Sequence, residues 1–312
     1  MNDKQKFELI SRNTEEILTE EELKNLFKKS EPSVYCGYEV AGPVHLGHLV
    51  TITKLLDFQK AGFKVKILLA DIHTQLNKKI PEIEAWKKTI KATSIKADFV
   101  LGSSFQFKEE YLYDVFRLGQ KVTINRGLRS MQEVARDIKN ATISQIIYPL
   151  MQIADVKHLK ADVALGGTDQ RKIYALGKDE AKLIKHDFVA VHTPLITSLN
   201  GPGKKMSSSI PGSNISVIDS YETIQKTIAK SYCPAKEIKE NPILQITKLI
   251  IFPHFNKFVI HRDKKFGSKI TYVTYHDLES DYSSGSLHPA DLKIAVTEYL
   301  EKLISPIRKN FK

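Results

Sequence analysis

The 312-residue chain predicts an α/β protein, a doubly wound parallel sheet followed by a mainly helical C-terminal domain. Three observations lead there. Apolar strand-like runs alternate with helical stretches from residue 33 to residue 192. A stretch rich in Gly, Pro and Ser at 199–216 breaks that alternation. Beyond it the apolar spacing is helical.

The chain opens helical. Thr19-Glu20-Glu21-Glu22 has capping-box spacing, with Thr19 as N-cap and Glu22 reaching back. Leu23, Leu26 and Phe27 follow at helical intervals. Residues 33–38 read as a short strand and Ala41-Gly42-Pro43 as a turn. A helix is predicted over 45–59, stopped by Ala61-Gly62, and a strand over 63–70. Strand, helix and strand in that order form a βαβ unit, which requires a parallel sheet with a right-handed crossover. The pattern continues with helix 82–97, strand 98–101 and a polar, basic helical stretch at 109–137. Helix 144–153, strand 162–165, a helix from about 169 and strand 188–192 complete it. After the loop, 221–229, 242–251 and 289–303 read as helices. The domain boundaries predicted are 1–216, with the loop 199–216 at its end, and 217–312.

Hydrophobic residues at 42% and charged residues at 27% are the balance of a soluble globular chain. The length suffices for a full core without disulfides or a structural metal. No apolar run approaches the roughly 20 residues that span a bilayer. Met1-Asn2-Asp3-Lys4-Gln5 leads into no apolar signal-like stretch. A cytoplasmic protein with no membrane partner is expected. Cys36 and Cys233 stand far apart and in no metal spacing, so reduced cysteines and no zinc are expected. The net charge of +11 favours a polyanionic partner, because each neutralised phosphate releases counterions. Charge alone fits a shell of solvated lysines equally well.

Two clusters carry chemistry. Gly42-Pro43-Val44-His45-Leu46-Gly47-His48 lies between a strand and a helix, where free backbone N–H groups and the helix dipole favour a phosphate. His45 and His48 are three apart and share one face of the first turn. Gly47 lets a nucleotide lie close to the backbone. Two imidazole donors at an α-phosphate would stabilise the charge that builds there when an acid attacks it. The plain alternative is two surface histidines at a helix start. The second cluster, Lys204-Lys205-Met206-Ser207-Ser208-Ser209, lies in the flexible loop. A lysine there can close over a triphosphate and follow departing pyrophosphate. Each cluster is weak alone. In this order, about 160 residues apart and flanking a parallel sheet, they support each other.

With these residues the chain resembles the class I aminoacyl-tRNA synthetases. His45-Leu46-Gly47-His48 looks like their HIGH motif and Lys205-Met206-Ser207-Ser208-Ser209 like their KMSKS motif. The compact length and the Lys-Met-Ser-Ser-Ser form are similar to the archaeal tyrosyl branch. The resemblance runs from Arg12-Asn13-Thr14 to Pro306-Ile307-Arg308-Lys309. It implies a Rossmann-like catalytic core, an insertion near 105–150 at a homodimer interface and a C-terminal anticodon-binding domain. It also implies activation of tyrosine by ATP, with Mg2+ carried on the ATP phosphates, and transfer to tRNA(Tyr). In that reading His45, His48 and Lys205 are catalytic. Gly42, Gly47, Lys204, Met206, Ser207 and Ser208 complete the ATP contacts. One departure stands out. Relatives usually carry a lysine directly after the serines, where this chain has Ile210. Lys204 or Lys205 then supplies the loop charge, or adenylation is slower.

The choice of amino acid rests on a third constellation. Tyr35 lies on the strand before the histidine turn. Tyr148, Gln152 and Asp155 are spaced four and three apart, so they project from one helix face. Ile146, Ile147, Leu150, Met151 and Ile153 around them predict a buried helix rather than a polar surface. Gln170 follows Gly166-Gly167-Thr168-Asp169 at the usual ligand edge of such a sheet. In the tyrosyl branch the residues matching Tyr35 and Asp155 contact the substrate phenol. Those matching Tyr148, Gln152 and Gln170 hold its α-ammonium group, and the one matching Glu39 lines that end. His73 resembles a pocket-lining histidine, with a packing role as the alternative. A buried carboxylate facing a phenolic O–H makes a charge-assisted hydrogen bond. Tryptophan is the nearest rival, since an indole N–H also needs an acceptor. Arg129 and Arg171 resemble residues that approach the first acceptor base pair. Phe266 and His288-Pro289-Ala290-Asp291 resemble anticodon readers, the aromatic by stacking and the carboxylate by accepting from a base edge. Two rivals lie outside this reading: a small nucleotidyltransferase with the same His-x-Gly-His turn, and a synthetase-like RNA-binding protein with a dead site.

Overall fold

In the computed structural model, residues 1–132, 140–207, 210–263, 265 and 267–310 are described. They fall into two compact units. The first comprises Met1–Ala41, Lys54–Lys87 and Ser94–Pro194; the second comprises Gly42–Thr53, Lys88–Thr93 and Leu195–Lys312.

The first unit is built on a six-stranded sheet. Its strands are β1 (Glu16–Leu18), β2 (Ser33–Tyr38), β3 (Lys64–Leu69), β4 (Ala97–Leu101), β5 (Val163–Gly167) and β6 (Val189–Thr193). They lie in the order β1-β6-β5-β2-β3-β4. Strands β2 to β6 are parallel, and β1 adds antiparallel at one edge with Glu16 opposite His192. This is the doubly wound α/β sheet the alternation predicts. The chain lays down β3 and β4 on one side of β2, then β5 and β6 on the other. The order therefore reverses between β2 and β5, where Tyr35 pairs with Ala164. A crevice opens at such a reversal, outside the carboxyl ends of the strands. Glu39 directly follows β2, and Gln170 follows β5 by three residues.

Helix Ile143–His158 is longer than its sequence pattern and is buried continuously from Pro149 to Val156. The helical stretch at 109–137 divides into Glu109–Lys121 and Ile124–Ser130. Val122 turns extended there, and Thr123 caps the second helix by accepting from Arg126 N–H. The rest of that stretch, 133–139, lies outside the described residues. The helix predicted over 82–97 ends at Ala92, and Ser94 takes a left-handed φ of 66°, which ends a helix.

The second unit holds helices Tyr221–Lys230, Pro242–Ile246, Tyr275–Ser284 and Pro289–Lys309. It also holds an antiparallel pair, β7 (Phe258–His261) with β8 (Lys269–Tyr272), which the helical expectation for this region does not include. Phe258 and Ile260 are buried on one face of β7 and His261 is exposed, but four residues are too few for the alternation to register. After Ile246 the helix widens into a π turn, Thr247–Ile251, in which Phe252 N–H reaches back five residues to the Thr247 carbonyl. Among the described residues no helix is long and apolar enough to cross a membrane.

Candidate functional site

In the first unit Tyr35 is 1% exposed and Asp155 is fully buried. Asp155 Oδ1 accepts from Gln106 Nε2 at 2.7 Å and from Tyr111 Oη at 2.8 Å. Its Oδ2 is buried without a hydrogen-bond partner, as are Gln106 Oε1 and His73 Nε2, the latter 3.7 Å from Oδ2. An unpaired buried polar atom is destabilising by about 1–3 kcal/mol. Three around one carboxylate leave an incomplete buried polar site that a hydrogen-bonding ligand can complete. Burial pushes the Asp155 carboxyl up to about 7, against the lowering effect of the Gln106 and Tyr111 bonds. Burial, reinforced by Tyr174 and Asp155, holds the Tyr35 phenol well above its usual value, so it stays a neutral O–H. Tyr174 hydrogen-bonds with Gln152 and with Tyr35. A Cβ at Gly37 would stand 2.8 Å from Tyr35 Oη, so the absent side chain at Gly37 is what gives that hydroxyl room.

The other end of this network is polar. Gln152 Nε2 donates to Gln170 Oε1 at 3.1 Å. Tyr148 hydrogen-bonds to Glu39, which also accepts from Asn77 and from Lys79 Nζ at 2.5 Å. His73 packs edge-on against Tyr148 at 4.5 Å between centroids, and burial lowers its pKa to about 4, leaving it neutral. Tyr35, Glu39, His73, Tyr148, Gln152, Asp155 and Gln170 are thus gathered in one unit. Gln106, Tyr111 and Tyr174 join them although the sequence reading passes over all three. The one sequence signal near Gln106 is Gly102, a glycine directly after a predicted strand; in the structure a Cβ there would meet Gln106 Oε1 at 2.6 Å.

The second unit joins the histidine turn to the serine loop. His45 and Ser216 form an antiparallel bridge. Leu46 N–H donates to the Ile215 carbonyl at 3.0 Å and Val217 N–H to the Val44 carbonyl at 2.9 Å. Further back in the loop Thr197 and Lys205 pair in the same way. Met206 is 5% exposed and anchors the segment, while Lys204 and Lys205 are exposed. The Ser207 carbonyl accepts from Ser213 Oγ at 2.6 Å and Asn214 Nδ2 at 2.7 Å. Ser208 and Ser209 lie outside the described residues.

The two rings of the turn pack against each other at 3.8 Å between centroids, their planes tilted by 33°. Gly47 N–H donates to His45 Nδ1 at 3.1 Å, and His45 N–H to His48 Nδ1 at 3.2 Å. Each Nδ1 is therefore an acceptor, which puts the proton of a neutral ring on Nε2. Burial lowers the His45 pKa to about 4, so that ring is a neutral Nε2–H donor near pH 7.

The sequence pattern described as class I tRNA synthetases (W and Y) matches residues 28–305. The chain belongs to this family. This class I synthetase is 46% identical to the tyrosine–tRNA ligase of Archaeoglobus fulgidus, over 98% of its own length and 97% of the relative's. It is 44% identical to the tyrosine–tRNA ligase of Methanocaldococcus jannaschii, over 97% and 98% of the two chains. The crystal structure of the A. fulgidus tyrosyl-tRNA synthetase complexed with L-tyrosine matches it with a TM-score of 0.95 at 45% identity, covering 100% of both chains. A tryptophanyl-tRNA synthetase from Aeropyrum pernix matches with a TM-score of 0.72 at 18% identity, over 93% and 81% of the two chains, which is a likeness of fold alone.

The remaining sequence candidates of the synthetase lie as follows. Arg129 is exposed on helix Ile124–Ser130. Arg171 pairs with Glu16 through Nε at 2.8 Å and Nη2 at 2.7 Å. His288 caps helix Pro289–Lys309, its Nδ1 accepting from Ala290 N–H at 3.1 Å, and Asp291 sits in the first turn. Phe266 lies outside the described residues.

Proposed function

We propose that the chain is a tyrosine–tRNA ligase, which activates L-tyrosine with ATP and esterifies it to the 3′ end of tRNA(Tyr). The observation that carries the choice of substrate is Asp155 Oδ2, a buried oxygen without a hydrogen-bond partner, in the same unit as the buried, neutral Tyr35 hydroxyl. A phenolic O–H gives Oδ2 its missing donor. Phenylalanine leaves that oxygen unpaired. Tyr148, Gln152 and Gln170 take the α-ammonium end, which Glu39 helps to line, and His73 lines the pocket. The relatives named above, at 44% to 46% identity over nearly the whole chain, support the same activity.

The tyrosine carboxylate attacks the α-phosphorus of ATP, and pyrophosphate leaves. The tRNA terminal hydroxyl then attacks the carbonyl of the adenylate and displaces AMP. No enzyme nucleophile takes part, so the protein acts by orientation and by charge stabilisation. His45 and His48 donate from Nε2 to the α-phosphate. Gly42 and Gly47 leave room for the nucleotide at the turn. Lys205, with Lys204, Met206, Ser207 and Ser208, follows the leaving pyrophosphate. Mg2+ comes with the ATP phosphates. Arg129 and Arg171 approach the acceptor end, and Phe266, His288, Pro289 and Asp291 read the anticodon from a domain over 217–312, the catalytic domain being 1–216. The enzyme acts in the cytoplasm as a homodimer. In the 105–150 region Phe107, Tyr113, Phe116, Ile124 and Ile143 are 64% to 77% exposed, an apolar surface that supports association there.

Amino-acid-dependent ATP–pyrophosphate exchange, run with each of the twenty amino acids, tests this. Exchange with tyrosine alone is expected. Exchange with tryptophan instead moves the assignment to that amino acid, and no exchange at all identifies an inactive RNA-binding relative.

A further inference from the structure

The segment carrying Lys205 is held by a short strand-like stretch at 196–198. Ser198 N–H donates to the Lys204 carbonyl and Met206 N–H to the Ile196 carbonyl, both at 2.8 Å. Thr197 lies opposite Lys205 in this pairing, and its own N–H faces the other way. That N–H donates to Gln245 Oε1 at 2.8 Å. Thr197 is 7% exposed, so water is a poor substitute for this acceptor. Nine residues after Gln245, His254 Nε2 lies 3.0 Å from Thr53 Oγ1. Thr53 is on the helix that the His45–His48 turn opens. One helical stretch therefore holds the supports of both nucleotide motifs.

The π turn explains how it does so. In a regular α-helix, nine residues turn through about 900°, which puts Gln245 and His254 on opposite faces. The turn at Thr247–Ile251 takes up one extra residue. Nine residues then act as about eight, and the offset falls to about 80°. Both side chains come to the same side. Single π turns of this kind recur at functional sites.

We propose that Pro242–His254 is a strut that sets the geometry of the ATP site, with Gln245 and His254 as positioning residues for adenylation. They act through Thr197 and Thr53. The proposal rests on the ligase reading above, so the test begins with tyrosine-dependent ATP–pyrophosphate exchange by the full-length wild-type protein. Absence of exchange there overturns both readings. With exchange present, Gln245→Leu and His254→Ala are each expected to lower kcat/KM for ATP about tenfold. Tyrosine affinity, measured by calorimetric titration without ATP, stays at the wild-type value. Gln245→Glu keeps the accepting oxygen and returns kcat/KM to within about twofold of wild type. Wild-type ATP kinetics in both Gln245→Leu and His254→Ala overturns the strut while leaving the ligase reading intact. A parallel loss of tyrosine affinity and melting temperature also overturns it, because that pattern marks a merely structural role.

Discussion

Asp155 is held up to about 7 by burial, so near neutral pH it is divided between its acid and its carboxylate form. Its folded value lies above the ordinary carboxylate range. The stability it contributes is therefore complete in acid and is lost as pH rises through about 7. A phenolic O–H donated to Oδ2 favours the ionised form and offsets that loss. The rise in melting temperature produced by saturating tyrosine is accordingly expected to grow from about pH 6 to about pH 8. Asp155→Asn removes the dependence. A tyrosine shift that ignores pH in the wild-type protein counts against Oδ2 as the acceptor. His45 behaves in the opposite sense. Burial lowers it to about 4, and Gly47 N–H occupies Nδ1, so the ring stays a neutral donor until the solution is acidic. Adenylation at saturating tyrosine should show no titration of this ring between about pH 5.5 and about pH 8. His48→Ala should lower the same rate by more than about 10²-fold with the fold intact, as seen by an unchanged far-UV spectrum.

At the level of elements, β2 does the positioning. Gly37 is the exposed residue of an otherwise buried strand, and the Tyr35 hydroxyl lies over it. Gly37→Ala places a methyl group 2.8 Å from that oxygen. The ring must move, and kcat/KM for tyrosine is expected to fall about tenfold while KM for ATP holds; steady-state exchange kinetics separate the two. What made this region legible in the sequence was periodicity. The βα alternation repeats over most of the first unit, and Tyr148, Gln152 and Asp155 share a helix face by spacing alone. Gln106 and Tyr111 reach the same carboxylate from positions 49 and 44 residues away in the chain, and such convergence leaves no period to read. The short strands were hidden for a related reason. β1 has three residues, β7 and β8 four each, and none completes enough alternations to stand out. The break at Val122–Thr123 was masked by polar residues that suit a helix and a turn equally.

At the level of the molecule, apolar surface and charge bear on the proposed partners. Phe116 is 64% exposed and lines a hollow with Val115, Gly119, Ile147 and Leu150. If this face is where two copies meet, Phe116→Asp puts an unpaired charge into a desolvated contact. Sedimentation velocity should then show a dimer for the wild type and a monomer for the variant. Charge acts on the other partner. The 47 basic residues against 36 acidic ones leave a net +11. A tRNA bound by such a surface releases counterions, and its affinity falls as a power of the salt concentration. Tyrosine and ATP–Mg2+ release few. Raising salt from about 50 mM to about 200 mM should therefore raise KM for tRNA by a factor of ten or more. The same change should leave the exchange rate within about twofold, because that step involves no polyanion. Equal salt sensitivity of the two steps would mean that the basic surface serves the adenylation chemistry or the stability of the fold, and that the tRNA is held by contacts other than its phosphates.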